Sequence, residues 1–476
     1  MKNFKYYSIL FIISILTVVS CDREEFLDIQ PVGRIIPATL DDYRLMLDNV
    51  RSGFGGNAKT TGFSNKHSLS RFLSDNVKLN VEIFNSAFNS QNDLRAYLFD
   101  DAIYAPIEND TDWDNYYQHI YVSNIIAEGL DEIEDSAKKR ALEGEARMHR
   151  AFAYFNLVNL YAPHYNSNTA STDLGVPIRE GVELTGIDLT RATVQEVYDL
   201  ILEDVLFATT SLEDTQSGAL VFRPSKAAAF SLLARVYLYQ ANYTDALTAV
   251  NNALALQSTL RDINNDPINP FAPGLRSFQD FTIDPEVVWF KDGGWAFALN
   301  SPTDELINLY ENGDVRREWY TTMANHGFIQ SDSNELVYAA RYFGFNTSSD
   351  AISTAELYLI RAECYARLGN ITEANDDLNT LRINRFTPAT YTAINITDAA
   401  ALLQFVKDER RREMTMTADR LFDIKRYNLL DNDGISINRD YNGQTVTVAA
   451  NSNNWVLPIG QKYILLNPEI EQNPRD

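Results

Sequence analysis

The chain has 476 residues, 45% of them hydrophobic and 22% charged, which is an ordinary globular balance with length enough for a sizeable core. A net charge of −24 with no basic run excludes a polyanion as the main partner, because phosphates are repelled over most approaches. The 25 Tyr, 25 Phe and 5 Trp are a high aromatic load, most of it needed for a core and a few rings free to stack on a ligand.

Lys2 and Lys5 precede the apolar run SILFIISILTVV, residues 8–19. The run is too short and too early for an ordinary membrane span and reads as a secretory leader. Ser20 and Cys21 follow, as in a bacterial lipobox, with Val18 and Val19 a looser fit than the usual Leu and small residue. Residues 1–20 are therefore expected to be removed and Cys21 to carry a lipid; several acyl chains on one residue anchor stably where a single chain does not. A plain signal peptide cleaved near Ser20 is the alternative. Without the leader the chain keeps 39 basic and 65 acidic residues, a net −26. The other cysteine, Cys364, lies in a helical stretch and reads as buried core rather than as a disulfide partner.

Residues 49–111 are rich in Gly, Asn, Asp and aromatics without sustained helical period, and read as an ordered, loop-rich insertion. Residues 112–135 and 138–162 read as two helices, and 192–213 as a third. In 227–260, Phe230, Leu233, Ala234, Tyr237, Ala246, Val250 and Ala253 fall at the offsets of a tetratricopeptide helix pair. A second loop-rich insertion spans 261–350. In 355–388, Tyr358, Ala362, Tyr365, Ala374, Leu378 and Leu381 repeat the same offsets, with Arg361 in place of the first leucine. Ala241-Asn242 and Gly369-Asn370 supply the turns within the pairs. One repeat cannot bury its apolar face alone, so the spacing predicts a mainly α protein built on a tetratricopeptide-like right-handed framework of about four helix pairs. That framework would run through 112–260 and 351–430, within one domain spanning 21–476. Alternation in QTVTVAA and WVLPI predicts a few short strands or extended edges in 431–476.

In order along the chain, several marks resemble the SusD/RagB family of Bacteroidetes outer-membrane lipoproteins. Phe26-Leu27-Asp28 with Pro31 resembles its amino-terminal signature, and Asp22, Glu24 and Glu25 its surface-export signal. Trp113, Tyr116 or Tyr117, Ile120 and Asn124 resemble its W-x-x-x-Y-x-x-I-x-x-x-N helix, and EGEARMHRAFAYFNLVNLYA with Gly175-Val176-Pro177 its next segment. Thr193, Glu196, Val197, Tyr198, Ile201 and Asp204 match the helix after that. Glu409-Arg410, Glu413, Arg420, Asp423 and Arg426 resemble its ER-x-x-E … R-x-x-D-x-x-R pattern, and Leu457-Pro458-Ile459, Asn467-Pro468 and Gln472-Asn473-Pro474 its closing signature. Two places depart. Ala418-Asp419 stands where an acidic-glycine pair is usual, and Gly460 where a proline is usual. The resemblance implies a cell-surface substrate-binding lipoprotein that acts as the lid of a TonB-dependent outer-membrane transporter and captures an oligosaccharide, or a peptide, without chemistry.

The residues themselves offer little for catalysis. His67, His119, His149, His164 and His326 never pair at i, i+4, and no nucleophile elbow or phosphate loop occurs. The chain is thus expected to be no enzyme and to hold no cofactor or metal, with a surface glycoside hydrolase and a pure protein-binding scaffold as the readings from other classes. DINNDPINP, residues 262–270, starts like a calcium loop but has Pro267 where Gly is needed; Asp431, Asp433 and Gly434 start similarly and stop at Ile435. A sugar has an apolar C–H face and a hydroxyl rim, so its site wants aromatic planes edged by Asn, Asp or Arg. The family resemblance places the ligand in the two insertions. The candidates there are Asp75, Asn76, Phe84, Phe88 and Tyr104 in the first, and Trp289, Trp295, Arg316, Trp319 and Tyr320 in the second. Trp295, beside Gly293-Gly294, is the foremost.

Overall fold

A computed structural model describes residues 37–48, 50–52, 59–61, 63, 69–86, 89–267, 276, 280–291, 301–325, 333–338, 352–415, 417 and 419–476. The expectations for the leader, Cys21, Phe88 and Trp295 lie outside these residues. In chain order come α1 (Leu40–Leu47), β1 (Val50–Ser52), β2 (Lys59–Thr61), β3 (Val77–Lys78), α2 (Val81–Ser86), α3 (Gln91–Tyr97), α4 (Thr111–Asp131), α5 (Ala137–Tyr161) and α6 (Val194–Ser211). Next are α7 (Lys226–Tyr239), α8 (Tyr243–Leu256), β4 (Val287–Trp289), β5 (Ser301–Pro302), α9 (Asp304–Asn308), β6 (Tyr320–Thr322), β7 (Leu336–Tyr338) and β8 (Ile352–Ser353). The chain ends with α10 (Thr354–Leu368), α11 (Ile371–Arg382), α12 (Ala399–Glu413), α13 (Asp419–Leu430), the hairpin β9 (Ile437–Tyr441) and β10 (Gln444–Val448), and α14 (Gln461–Leu466).

The helices start where polar side chains take up free backbone N–H groups. Asp110 accepts from the Trp113 N–H at α4, Ser136 from Lys139 at α5, and Thr193 with Glu196 forms a full capping box at α6. The two repeat pairs form as α7–α8 and α10–α11. Their facing small residues, Ala234 with Ala246 and Ala362 with Ala374, are fully buried, which lets the axes approach closely. Gly369 closes α10 at φ 83°, and Ala241 turns the α7–α8 link at φ 58°.

Neighbouring long helices then stack: α4 on α5, α5 on α6, α6 on α7, α7 on α8, α8 on α10, and α12 on α10 and α11. With α12–α13, four short-linked pairs result, and α6 fills the step between the first two. α5 is buried on nearly every side from Leu142 to Tyr161 and is the axis of the main core. Cys364 is also fully inside, where burial pushes its thiol up, far from a reactive thiolate.

The described strands form five two-stranded antiparallel ladders: β1–β2, β3–β5, β4–β8, β6–β7 and β9–β10. Both insertions carry more local structure than their lack of period suggested, in described pieces of two to seven residues. At the C-terminus QTVTV forms β10, paired with Ile437–Tyr441 across Asn442-Gly443 at φ 51° and 81°, whereas the residues of WVLPI pass from a single 3-10 turn into an extended run. α8 packs on α10 although residues 257–353 intervene between them in sequence, so the helical stack continues across the second insertion.

Candidate functional site: the anchored loop-rich face

The first insertion is held at Asp75. Its two carboxylate oxygens each take an N–H of Arg420 at 2.7 Å, and Arg411 approaches at 3.3 Å. The neighbouring Asn76 accepts from Arg411 Nε at 2.7 Å and donates to the Thr415 carbonyl at 3.0 Å. Arg439 of β9 adds a third clamp. Without a carboxylate partner it donates to the carbonyls of Phe72, Ser74 and Tyr97, and burial lowers it to about 10.

Burial alone would raise the Asp75 carboxyl, but Arg420 and then Arg411 more than offset this and hold it at about 2. A depressed carboxyl contributes stability that is complete above its ordinary value of 3.8 and is lost as pH falls toward 2. Asp75→Asn should therefore cost about 2 kcal/mol at pH 7. Urea midpoints of the two proteins should converge as pH is taken from 4 to 2; a gap that is constant with pH would assign the loss to shape rather than charge.

The second insertion is held at two places. Trp289 in β4 is fully buried, donates its indole N–H to the Phe222 carbonyl at 2.9 Å, and meets the edge of Phe152 with ring centres 5.3 Å apart. Two residues on, buried Lys291 reaches His149 Nδ1 at 2.8 Å and donates to the Phe63 carbonyl at 3.0 Å, its Nζ 4.3 Å from the Trp289 ring. Burial drives both Lys291 and His149 well below their ordinary values, which favours the neutral forms of both partners. The other place is Arg316, which is fully buried and paired with Asp314 at 2.7 Å, Glu409 at 2.7 Å and Glu413 at 2.9 Å. Trp319 packs among Ile263, Leu306 and Val315. The Tyr320 hydroxyl lies 2.7 Å from Thr415 Oγ1 and 3.3 Å from the Tyr310 hydroxyl.

These positions correct the sequence expectation. Asn76, Tyr104, Trp289, Arg316, Trp319 and Tyr320 are buried, and Asp75 spends its charge on two arginines, so none of the seven presents a free face to a ligand. Tyr104 accepts from the Thr111 N–H at the start of α4 instead. The physical reason is common to all: an irregular insertion needs its own aromatic and ionic core to stay ordered. Phe84 alone of the described candidate aromatics is half-buried, set edge-on to Tyr441 at 6.3 Å.

Sequence reasoning missed the other half of this pedestal, on the framework. Glu409 receives Arg316, Arg382 and Arg412. Glu356 receives Arg235 and Arg410, and Glu363 receives Arg367 and Arg426. Arg410 and Arg426 also meet Asp423, which joins the Glu356 and Glu363 clusters into one buried ionic lattice, beside separate clusters at Glu409 with Glu413 and at Arg420 with Asp75. Asp419 lies 4.0 Å from Arg235 and contributes an acid to the same lattice. The incipient calcium motif at Asp431 and Asp433 is filled by Arg367 and Lys407. No cluster of three His, Cys, Asp or Glu suited to a metal occurs among the described residues.

The anchors also bring the short ladders of the second insertion together. β4 pairs with β8, β3 with β5, and β7 lies beside both β5 and β6. Lys291 and Ser301, Asn325 and Ser333, and Tyr338 and Ile352, which border 292–300, 326–332 and 339–351 in sequence, all lie in or next to these ladders.

Family models match this chain twice: one described as starch-binding associating with outer membrane over residues 25–238, and one described as the SusD family over 346–475. The chain belongs to the SusD/RagB family. The SusD-like protein P38 of Formosa agariphila is 24% identical across 99% of both chains, and SusD-like protein P25 of the same organism is 22% identical across 89% of this chain and 90% of that one. Among solved structures, a putative sugar binding protein from Bacteroides vulgatus superposes with a TM-score of 0.70 at 20% identity, covering 93% of this chain and 99% of that one. A SusD superfamily protein from Bacteroides thetaiotaomicron also gives 0.70, at 21% identity, covering 92% and 100%. The helical framework predicted from the repeats is the fold these SusD/RagB structures share. At the level of the family, the chain is a carbohydrate-binding protein associated with the outer membrane. The matched segments flank residues 239–345, the stretch that holds most of the second insertion.

Proposed function

We propose that this SusD/RagB protein is a lipoprotein tethered through Cys21 to the outer surface of the outer membrane. It captures an oligosaccharide on its loop-rich face and passes it, as a lid, to a TonB-dependent transporter. The observation that carries this reading is the division of labour in the insertions. Their conspicuous arginines and aromatics are consumed in fixing the chain to the helical stack, at Asp75, Trp289 and Arg316, and the segments between those anchors are left for the ligand. Trp295 follows Lys291 by four residues, on a stretch that starts from one of the firmest anchors, and it remains the foremost ligand contact. Among the described residues of the pedestal, the acids named above are bound by guanidinium or ammonium groups, as suits binding without bond cleavage.

The test joins capture to delivery. The full chain, purified in detergent, should retain a glycan on an array and release no new reducing ends from it. Trp295→Ala should lower that affinity at least tenfold with an unchanged urea midpoint. A β-barrel transporter should copurify, and labelled fatty acid should attach at Cys21. Retention of peptides in place of glycans would move the substrate class to the peptide reading. New reducing ends would make the protein a hydrolase, and a chain blind to every ligand that still brings down the barrel would be a scaffold.

A further inference from the structure

α13 begins at the pedestal, with Arg420 on Asp75, and ends at Leu430 beside a different cavity. The nine helical steps from Arg420 to Leu429 separate the two places by roughly 14 Å along the helix. The cavity has a volume of about 470 Å³ and opens to solvent between the loop after α5, the end of α13 and the stretch that follows β10. Small-molecule sites commonly run from roughly 300 to 1,000 Å³.

Its floor holds two polar side chains that the fold leaves incompletely used. His164 is only 5% exposed and lines the cavity. Neither ring nitrogen has a hydrogen-bond partner of full geometry, although the Tyr239 main chain lies near enough to favour the charged form slightly. Burial, then Arg426 and Lys425, keep the ring neutral, so it has one N–H to give and one nitrogen to accept. Buried polar groups in folded proteins nearly always find partners, and an imidazole left in this state calls for one. Lys425 Nζ donates to the carbonyls of Asn159 and Ala162, at 2.7 and 2.6 Å, at the end of α5. One further position on that nitrogen remains for a ligand, a third N–H when charged and a lone pair when neutral.

The walls narrow the ligand class. Trp455 and Leu429 supply apolar surface, the indole N–H being committed to the Ala449 carbonyl at 2.8 Å. The side-chain amides of Asn166, Asn432 and Asn451 stand at the rim, each partly or fully exposed. Asn428 is spent on the carbonyls of Ile435 and Ala450, at the base of the β9–β10 hairpin. The one carboxylate, Asp173, is engaged by the Thr169 hydroxyl at 2.6 Å. An anion would meet Asp173 and a cation would meet Lys425, while amides, an imidazole and an amine beside an indole suit hydroxyl groups on a compact C–H skeleton.

We propose that this cavity is a second binding site, separate from the loop-rich face, for a neutral polyhydroxylated ring compound of one or two sugar units, held by His164 and Lys425 beneath a rim of asparagines. It does not depend on what the loop-rich face binds.

Saturation-transfer NMR on the full chain in detergent, with methyl α-glucoside, methyl β-galactoside and methyl α-mannoside as probes, tests this directly. At least one glycoside should receive saturation from the unmodified protein. His164→Phe, which keeps the ring and removes both nitrogens, should weaken that binding at least tenfold. Asn451→Trp, at an exposed rim position, should abolish it by filling the mouth, and it decides the matter if the His164 variant folds poorly. No transfer to any of the three glycosides, or transfer that survives both substitutions, overturns the proposal. Capture of long glycans is scored on the same variants, so a failure at this cavity is distinguishable from a failure of the loop-rich face.

Discussion

Replacing Glu409 by Ala should destabilise the protein more than any other single change on the framework, by about 4 kcal/mol or more at pH 7. The carboxylate is fully buried and receives Arg382 at 2.7 Å, Arg412 at 2.6 Å and Arg316 at 2.7 Å. Its removal leaves three guanidinium groups in a dry interior. Arg316 keeps Asp314 and Glu413, and Arg382 keeps the half-exposed Glu311, but Arg412 is left with the Leu309 carbonyl and the Phe405 ring. The usual cost of breaking a buried pair by deleting one partner is about 3–5 kcal/mol, and here one deletion breaks three. Burial by itself would raise the Glu409 carboxyl; Arg316, then Arg412 and Arg382, hold it far below the usual carboxylate range. Its stabilising effect is therefore complete across neutral pH and is lost only in strong acid, below the value of an unfolded glutamate. Urea unfolding at pH 7 and pH 4.5 should show nearly the same loss for Glu409→Ala. A loss below 1 kcal/mol would mean that the arginines find water or other acids, and that the cluster is not a keystone.

The second large effect is expected at Trp289. Trp289→Ala removes a fully buried indole, its hydrogen bond to the Phe222 carbonyl and the ring beneath Lys291, at a cost of about 3–5 kcal/mol. The consequence for binding separates this residue from Trp295. Below the unfolding transition, Trp289→Ala should keep part of its ligand affinity and recover more as temperature is lowered. Trp295→Ala should lose affinity at every temperature with no change in unfolding. If Trp289→Ala unfolds like the unmodified chain yet fails to bind, the indole belongs to the ligand surface and the packing described for it is incidental.

The contrast between the two tryptophans shows what the sequence made legible. Helix pairs were readable because their determinants are local: alanines at the close approach, a glycine at the one position that needs φ 83°, and polar caps at the starts of α7, α8 and α10. The β9–β10 hairpin was readable in part. Alternation marked Gln444–Val448, while its partner was betrayed only by Asn442-Gly443, whose two positive φ angles fit the two-residue turn that strand twist favours. The candidate site was not readable in this way. Arginine, asparagine and aromatic side chains are what a sugar-binding surface needs, and equally what an irregular insertion needs to tie itself down. Which use prevails depends on partners far away in sequence: Asp75 meets Arg420 across 345 positions, and Asn76 meets Thr415 across 339. No local pattern carries that information. His164 and Lys425 escaped notice for the same reason, since their cavity is assembled from three distant parts of the chain.

The direct packing of α8 on α10 has a further consequence. Because the stack closes across residues 257–353, the price of lengthening that excursion is only loop entropy, which grows by about 0.6 kcal/mol for each doubling. Descent can thus rewrite the spans between the anchors, in length as well as in composition, while the helices beneath keep their register. Grafting the corresponding stretch from a relative with another ligand, joined at Lys291 and Ser301 so that Trp289 and Arg316 stay in place, should transplant ligand preference without refolding the recipient.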